Sequence, residues 1–206
     1  MTRDELLALI ADAFCQEPQL AAGGVLFCHT PHVAELAYLA RVYDPAPLGQ
    51  VRAWATALDR KSPYLSFLPE VANGLRVANL SLFGVIEQID RSGQGAGQPI
   101  SLDYGNVVER PANLDDTDMV IGGIVGWSSS GSYVMDREGA VRLTHHQDGA
   151  DVAARWSDLH NMLRSELTRI ARLHDREGRE LGTSTDLMHP NGRRWKTEVE
   201  PGSTRH

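Results

Sequence analysis

The sequence predicts an α+β fold, in which a twisted, mostly antiparallel sheet is flanked by helices. A helical pattern over residues 62–71 ends at Asn73-Gly74, where a left-handed residue can close a helix. From Leu75 onward the apolar residues alternate or form short continuous runs, as they do in strands. Helical spacing returns over residues 151–173, so helices precede and follow the predicted sheet.

The first sixty residues are predicted to form two or three helices. Thr2 and Glu5 have the spacing of a capping box, and the segment at 48–58 has apolar residues at helical spacing. Between them, Thr30-Pro31 is a helix-start signal, because proline suits the first turn. The chain is therefore divided into a helical extension packed on the main domain at 1–61, an α+β domain at 62–173, and a polar tail or small hairpin at 174–206.

The order of features between residues 62 and 169 is similar to that of a known family. Asn73-Gly74 follows the first helix, residues 120–127 (VIGGIVGW) form a glycine-bearing strand, and Asp136 to Gly139 forms a hairpin turn. A closing helix with Trp156 in its apolar stripe is predicted to follow. This arrangement resembles the SUKH superfamily, which includes fungal cell-wall glucan-synthesis regulators and many bacterial immunity proteins.

The resemblance implies a binding protein rather than a catalyst. Bacterial members of the family are typically antitoxins that occlude a secreted toxin, often a nuclease. We therefore expect a non-catalytic protein-binding module, of the immunity-protein (antitoxin) type, that neutralises a toxin domain. The alternatives are a regulatory or scaffolding protein of cell-wall assembly and a small enzyme with an unrecognised site.

The composition favours a cytoplasmic globular protein. With 206 residues and a hydrophobic fraction of 42%, the chain can bury a normal core. No apolar run approaches the roughly 18–20 residues that a membrane helix needs, and the N-terminal residues lack a signal-peptide pattern. Cys15 and Cys28 are the only cysteines, which is too few for a disulfide framework. We expect no membrane association.

The most unusual feature of the charge distribution is an acidic stretch between Glu87 and Asp118. Seven carboxylates there are opposed by only Arg91 and Arg110, so this stretch holds −5 of the formal net charge of −7. An acidic surface argues against direct nucleic-acid binding and suits a basic protein partner. Trp127 is added as a candidate interface anchor. The predicted binding residues are Glu87, Asp90, Asp103, Glu109, Asp115, Asp116, Asp118 and Trp127.

No motif in the sequence supports catalysis, a cofactor or a metal. The run from Gly126 to Gly131 lacks the second glycine at the spacing that a hydrolase nucleophile elbow requires. Cys28, His29 and His32 are close together, but a tetrahedral zinc site needs a further ligand. We expect no catalytic residues, no cofactor and no metal site.

Overall fold

The predicted α+β class with an antiparallel sheet is confirmed. The structure, a computed structural model, describes residues 1–14, 16–28, 38–87, 98–124 and 131–173. These residues form one antiparallel sheet of nine strands, which lie side by side in chain order, with four α-helices and one short π-helix. Among the described residues, each helix is too short or too polar to span a bilayer.

The elements have the following bounds. The strands are β1 Gln19–Ala21, β2 Gly24–Cys28, β3 Tyr38–Tyr43, β4 Leu75–Val77, β5 Leu80–Leu82, β6 Met119–Ile124, β7 Gly131–Met135, β8 Val141–His145 and β9 Val152–Trp156. The helices are α1 Arg3–Phe14, α2 Leu48–Ala57, α3 Tyr64–Glu70, the π-helix Tyr104–Val108, and α4 Leu159–Ala171.

The predicted closing helix is shorter than expected. Helix α4 begins at Leu159, after Asp158, whose side chain accepts a hydrogen bond from the Asn161 backbone nitrogen at 2.8 Å. The preceding residues form strand β9, which pairs with β8. Trp156 therefore lies in a strand rather than in the helix. It is half-buried, and its ring centroid is 6.0 Å from that of Tyr133.

The prediction of a purely helical first sixty residues is wrong in part. Helices α1 and α2 are present, but strands β1, β2 and β3 lie between them. Strands β1 and β2 form a tight hairpin across Ala22-Gly23, where Gly23 has a φ of 74°. Strand β3 then pairs with β4, so the sheet continues across residue 61. The predicted helix start at Thr30-Pro31 and the segment 174–206 lie outside the described residues.

Other local predictions are confirmed. The predicted capping box is present: the Thr2 hydroxyl accepts a hydrogen bond from the Glu5 backbone nitrogen, and the Glu5 carboxylate accepts one from the Thr2 backbone nitrogen. Helix α3 is followed by Gly74, whose φ of 84° is left-handed, and a Cβ there would lie 2.5 Å from the Leu82 carbonyl oxygen. Gly139, with a φ of 96°, closes the turn between β7 and β8. Sequence signals that act within a few residues therefore predict these local structures correctly.

Helix α4 packs against α1, and it contacts one face of strand β7, where the Tyr133 hydroxyl donates to Glu166. The apolar stripe of α4 is fully buried, and it consists of Met162, Leu163, Leu167 and Ile170. Glu166 is also fully buried, and its Oε2 accepts from the Tyr133 hydroxyl and from Arg169 Nη2, both at 2.7 Å. The buried carboxylate is therefore paired with a cation as well as hydrogen-bonded.

Candidate functional site

A short segment that contacts strand β6 has unusual exposure. Among the described residues, six large hydrophobic side chains are exposed, and four of them fall within nine positions. We call these four the apolar segment: Ile100, Tyr104, Val107 and Val108. Scattered exposed hydrophobic residues are ordinary, whereas a concentration of them marks an interaction site in many proteins.

The segment is built around a π-helix. Its widened turn is closed by a hydrogen bond from the Glu109 backbone nitrogen to the Tyr104 carbonyl oxygen, at 2.7 Å. Single π-turns are rare and are found frequently at functional sites.

A buried asparagine fixes the π-helix to the sheet. The Asn106 side-chain nitrogen donates to the Val120 carbonyl oxygen at 2.7 Å, and its oxygen accepts from the Val120 backbone nitrogen at 3.0 Å. The same nitrogen also donates to the Leu102 carbonyl oxygen. The amide thus takes the place of a neighbouring strand beside Val120 and satisfies its backbone groups.

A second anchor joins the segment to helix α2. The Trp54 indole nitrogen donates to Asp103 Oδ1 at 2.8 Å, and the Ser101 hydroxyl donates to Asp103 Oδ2 at 3.3 Å. Asp103 is half-buried. The structure therefore gives this predicted binding residue a positioning contact within the chain.

Tyr104 and Glu109 form a polar edge beside the apolar side chains. The Tyr104 hydroxyl donates to Glu109 Oε2 at 2.8 Å, and both residues are exposed. This hydrogen bond is the main cause that raises the pKa of Tyr104, with burial and the negative charge of Glu109 adding to it. The phenol therefore stays protonated at neutral pH and acts as a donor.

A cavity of about 320 Å³ lies between the apolar segment and strands β6 and β7. Gly123 pairs with Ser132 across the two strands, so the two residues lie on the same face. The rings of Phe83 and Tyr104 meet edge to face with centroids 6.3 Å apart. The cavity is lined by Phe83, Ile100, Tyr104, Gly105, Glu109, Val120, Gly122, Gly123, Ile124, Gly131, Ser132 and His146.

The loop from 110 to 118 differs from the exposed acidic loop that the sequence predicts. Asp118 is 1% exposed, and its carboxylate is paired with Arg142. Its exposure was therefore wrongly predicted. Arg110 donates to the backbone carbonyls of Asp115 and Asp118, and Arg60 donates to that of Asp116. Arg60 and Arg142 come from distant parts of the chain, and they reduce the local negative charge that the sequence count gives.

The remaining predicted binding residues are divided between exposed positions and positions outside the described residues. Glu87, Glu109, Asp115 and Asp116 are exposed, so four of the seven carboxylates are available on the surface. Glu87 lines a second, open cavity of about 490 Å³. Asp90 and Trp127 lie outside the described residues.

Sequence reasoning missed the apolar segment and the asparagine that anchors it. The run Tyr104-Gly105-Asn106-Val107-Val108 has neither helical nor alternating periodicity, so its exposure has no signal in the pattern. One sequence signal could have drawn attention to this segment: Val107 and Val108 are adjacent apolar residues within a stretch rich in carboxylates. Valines of this kind are usually buried, and only the structure places them at the surface.

Among the described residues, no group of three or more histidine, cysteine, aspartate or glutamate side chains could hold a metal ion. His29, His32 and the side chain of Cys28 lie outside that part of the chain. The chain significantly matches no protein-family model, no curated protein and no solved structure.

Proposed function

We propose that the chain is a non-catalytic protein-binding module that docks a basic protein on the apolar segment and the carboxylates beside it. The observation that carries this proposal is the exposure of Val107 and Val108, at 58% and 69%, on an anchored π-helix. Burial of these side chains and of the half-exposed Tyr104 by a partner would supply a hydrophobic contribution to binding.

The carboxylates beside the apolar segment indicate that the partner carries positive charge. Glu109 follows the apolar segment directly, and Asp115 and Asp116 are exposed in the next loop. The whole chain carries a formal net charge of −7, which favours encounter with a cationic surface. A partner that combines apolar contacts with lysine or arginine residues therefore fits this surface best.

The resemblance to the SUKH superfamily suggests a specific form of this proposal. In that form the chain is an immunity protein, and its partner is a toxin domain with a cationic surface, such as a nuclease. Occlusion of such a surface by carboxylates requires no chemistry from the binding protein. An equimolar amount of this chain should then abolish the activity of the purified toxin.

The partner is first isolated by affinity capture from the source cells, with this chain as the bait. It is then purified for binding measurements. We expect the double variant Val107→Ser, Val108→Ser to raise the dissociation constant, measured by calorimetry, by about tenfold or more. The loss of interface anchors typically has an effect of this size. The matched control is Leu20→Ser with Leu48→Ser, which removes two exposed leucines elsewhere on the surface.

The control variant should bind within about twofold of the wild type, since surface changes outside an interface alter free energies by less than about 0.5 kcal/mol. If both double variants bind equally well, the apolar segment is not the docking surface. If the captured partner presents an acidic surface, the assignment of a basic partner is wrong.

A further inference from the structure

Part of the wall of the 320 Å³ cavity is formed by residues without side chains. Of the twelve lining residues in the described part of the chain, four are glycines: Gly105, Gly122, Gly123 and Gly131. A Cβ at Gly105 would lie 2.5 Å from Val120 Cγ1, and one at Gly123 would lie 3.0 Å from the Gly131 carbonyl oxygen. The two glycines therefore allow the π-helix to pack closely on Val120 and leave room for the Gly131 carbonyl oxygen, and the rings of Phe83 and Tyr104 line another side of the cavity.

The polar groups of this cavity suit a cation. Among the described lining residues, Glu109 supplies the carboxylate and His146 an imidazole, and none of them is a lysine or an arginine. Glu109 Oε2 accepts from Tyr104, and a carboxylate can accept several further hydrogen bonds. A cavity of 320 Å³ is at the lower end of the range of ligand sites, which is about 300–1,000 Å³. It suits one long side chain or a small molecule of similar size.

We propose that this cavity receives an arginine side chain of the basic partner, an inference that rests on the proposed function. The guanidinium group is planar, so it can stack on the Tyr104 ring and on peptide groups, and its paired donors match the Glu109 carboxylate. The methylene groups of the side chain would lie against Phe83 and Val120. Lysine offers a point charge and no flat surface to stack.

The experiment uses the whole chain and small probes, so it does not depend on finding the partner. N-acetyl-arginine methylamide is titrated into labelled protein, and amide chemical shifts of Gly122, Gly123 and Ser132 are followed by NMR. The matched neutral probe is N-acetyl-citrulline methylamide, which has nearly the same shape without the charge. We expect the arginine probe to bind at least about tenfold more tightly, a ratio that corresponds to about 1.4 kcal/mol.

Two variants locate the binding. Glu109→Gln should reduce the affinity of the arginine probe to that of the citrulline probe, whereas the exposed control Glu17→Gln should not change it. Ser132→Ile fills the cavity from a strand position where a β-branched residue is favourable, and it should abolish the shifts at Gly122 and Gly123. An unchanged melting temperature for both variants shows that the fold is intact.

Three results would overturn the inference: no shifts with the arginine probe, equal binding of the citrulline probe, or tighter binding of free arginine than of the blocked form. The last result would identify a metabolite site rather than a docking site for a protein side chain. A negative result with the arginine probe does not alter the predicted effect of Val107→Ser, Val108→Ser on partner binding. Conversely, binding of the probe with no effect of that double variant would overturn the proposed function alone.

Discussion

The two faces of the sheet at strand β7 are covered in different ways, because Tyr133 contacts α4 whereas its neighbour Ser132 lines the cavity beside the π-helix. On one face, α4 buries a full apolar stripe, and the carboxylate of Glu166 is paired with Arg169. On the other, a five-residue π-helix is held by a few polar anchors, leaves a cavity beneath it and exposes valines to solvent. The first arrangement favours stability. The second leaves apolar surface unburied, which is the usual compromise at a functional site.

The largest expected effect sharpens this comparison on the α4 face. Arg169→Met removes the cation that pairs with the buried Glu166 carboxylate, so we expect a loss of about 3–5 kcal/mol in the free energy of unfolding. Urea denaturation measures it. Arg164→Met, on the exposed side of the same helix, is the control. Adding Glu166→Gln to Arg169→Met should recover part of the loss, because the buried charge is then absent.

The second prediction separates two kinds of carboxylate within one loop. Asp118→Ala should lower the free energy of unfolding by about 3 kcal/mol, because Arg142 and the Asp115 backbone nitrogen lose their buried partner. Asp115→Ala and Asp116→Ala should each change it by less than about 0.5 kcal/mol. Thermal or urea unfolding of the three variants tests this, and equal effects would show that burial does not distinguish them.

The third prediction concerns the anchor of the π-helix. Asn106→Ala leaves the backbone groups of Val120 without the hydrogen bonds that the amide provides. Leaving one buried polar group unsatisfied costs about 1–3 kcal/mol, so we expect a loss of about 2 kcal/mol. Gln147→Ala, at an exposed position, is the control. If Asn106→Ala is as stable as the control, the π-helix is held by other contacts.

The smallest effect is at the N-terminus of α4. Hydrogen bonds from the Asn161 backbone and side chain and from Ser157 lower the pKa of Asp158 from its ordinary value of 3.8. Its stabilising effect is therefore present above that pH and is lost as pH falls through the lowered pKa. Asp158→Ala should cost about 1 kcal/mol at pH 7. The difference from the wild type should shrink in unfolding measurements below pH 3.8; a constant difference would rule out the charge contribution.

The sequence predicts the elements whose signals are local. The capping box at Thr2 and the glycines at 74 and 139 act within a few residues, and all of them are found as predicted. The error at β9 has a local cause, because Trp156 falls at helical spacing with Leu159 and Leu163. Asp158 was the missed signal, since it is a good N-cap. The Gly23-Gly24 pair was a similar missed signal for the first hairpin.

The site could not be predicted to the same degree, because it depends on residues far apart in the chain. Asp118 is buried by a pairing with Arg142, 24 positions away, and no property of the acidic stretch indicates it. Asp103 is held by Trp54, 49 positions away. A charge count along the sequence treats these carboxylates as equal. The structure divides them into buried, half-buried and exposed groups, and only the exposed ones are available to a partner.

The most direct test of the account is hydrogen exchange, followed by mass spectrometry, on the complex with its purified partner. If the π-helix face is the docking surface, the partner should slow exchange in residues 98–110 and at the start of β7, while α1 and α4 exchange as they do in the free chain. Protection confined to α1 and α4, with no change in residues 98–110, would contradict the central claim.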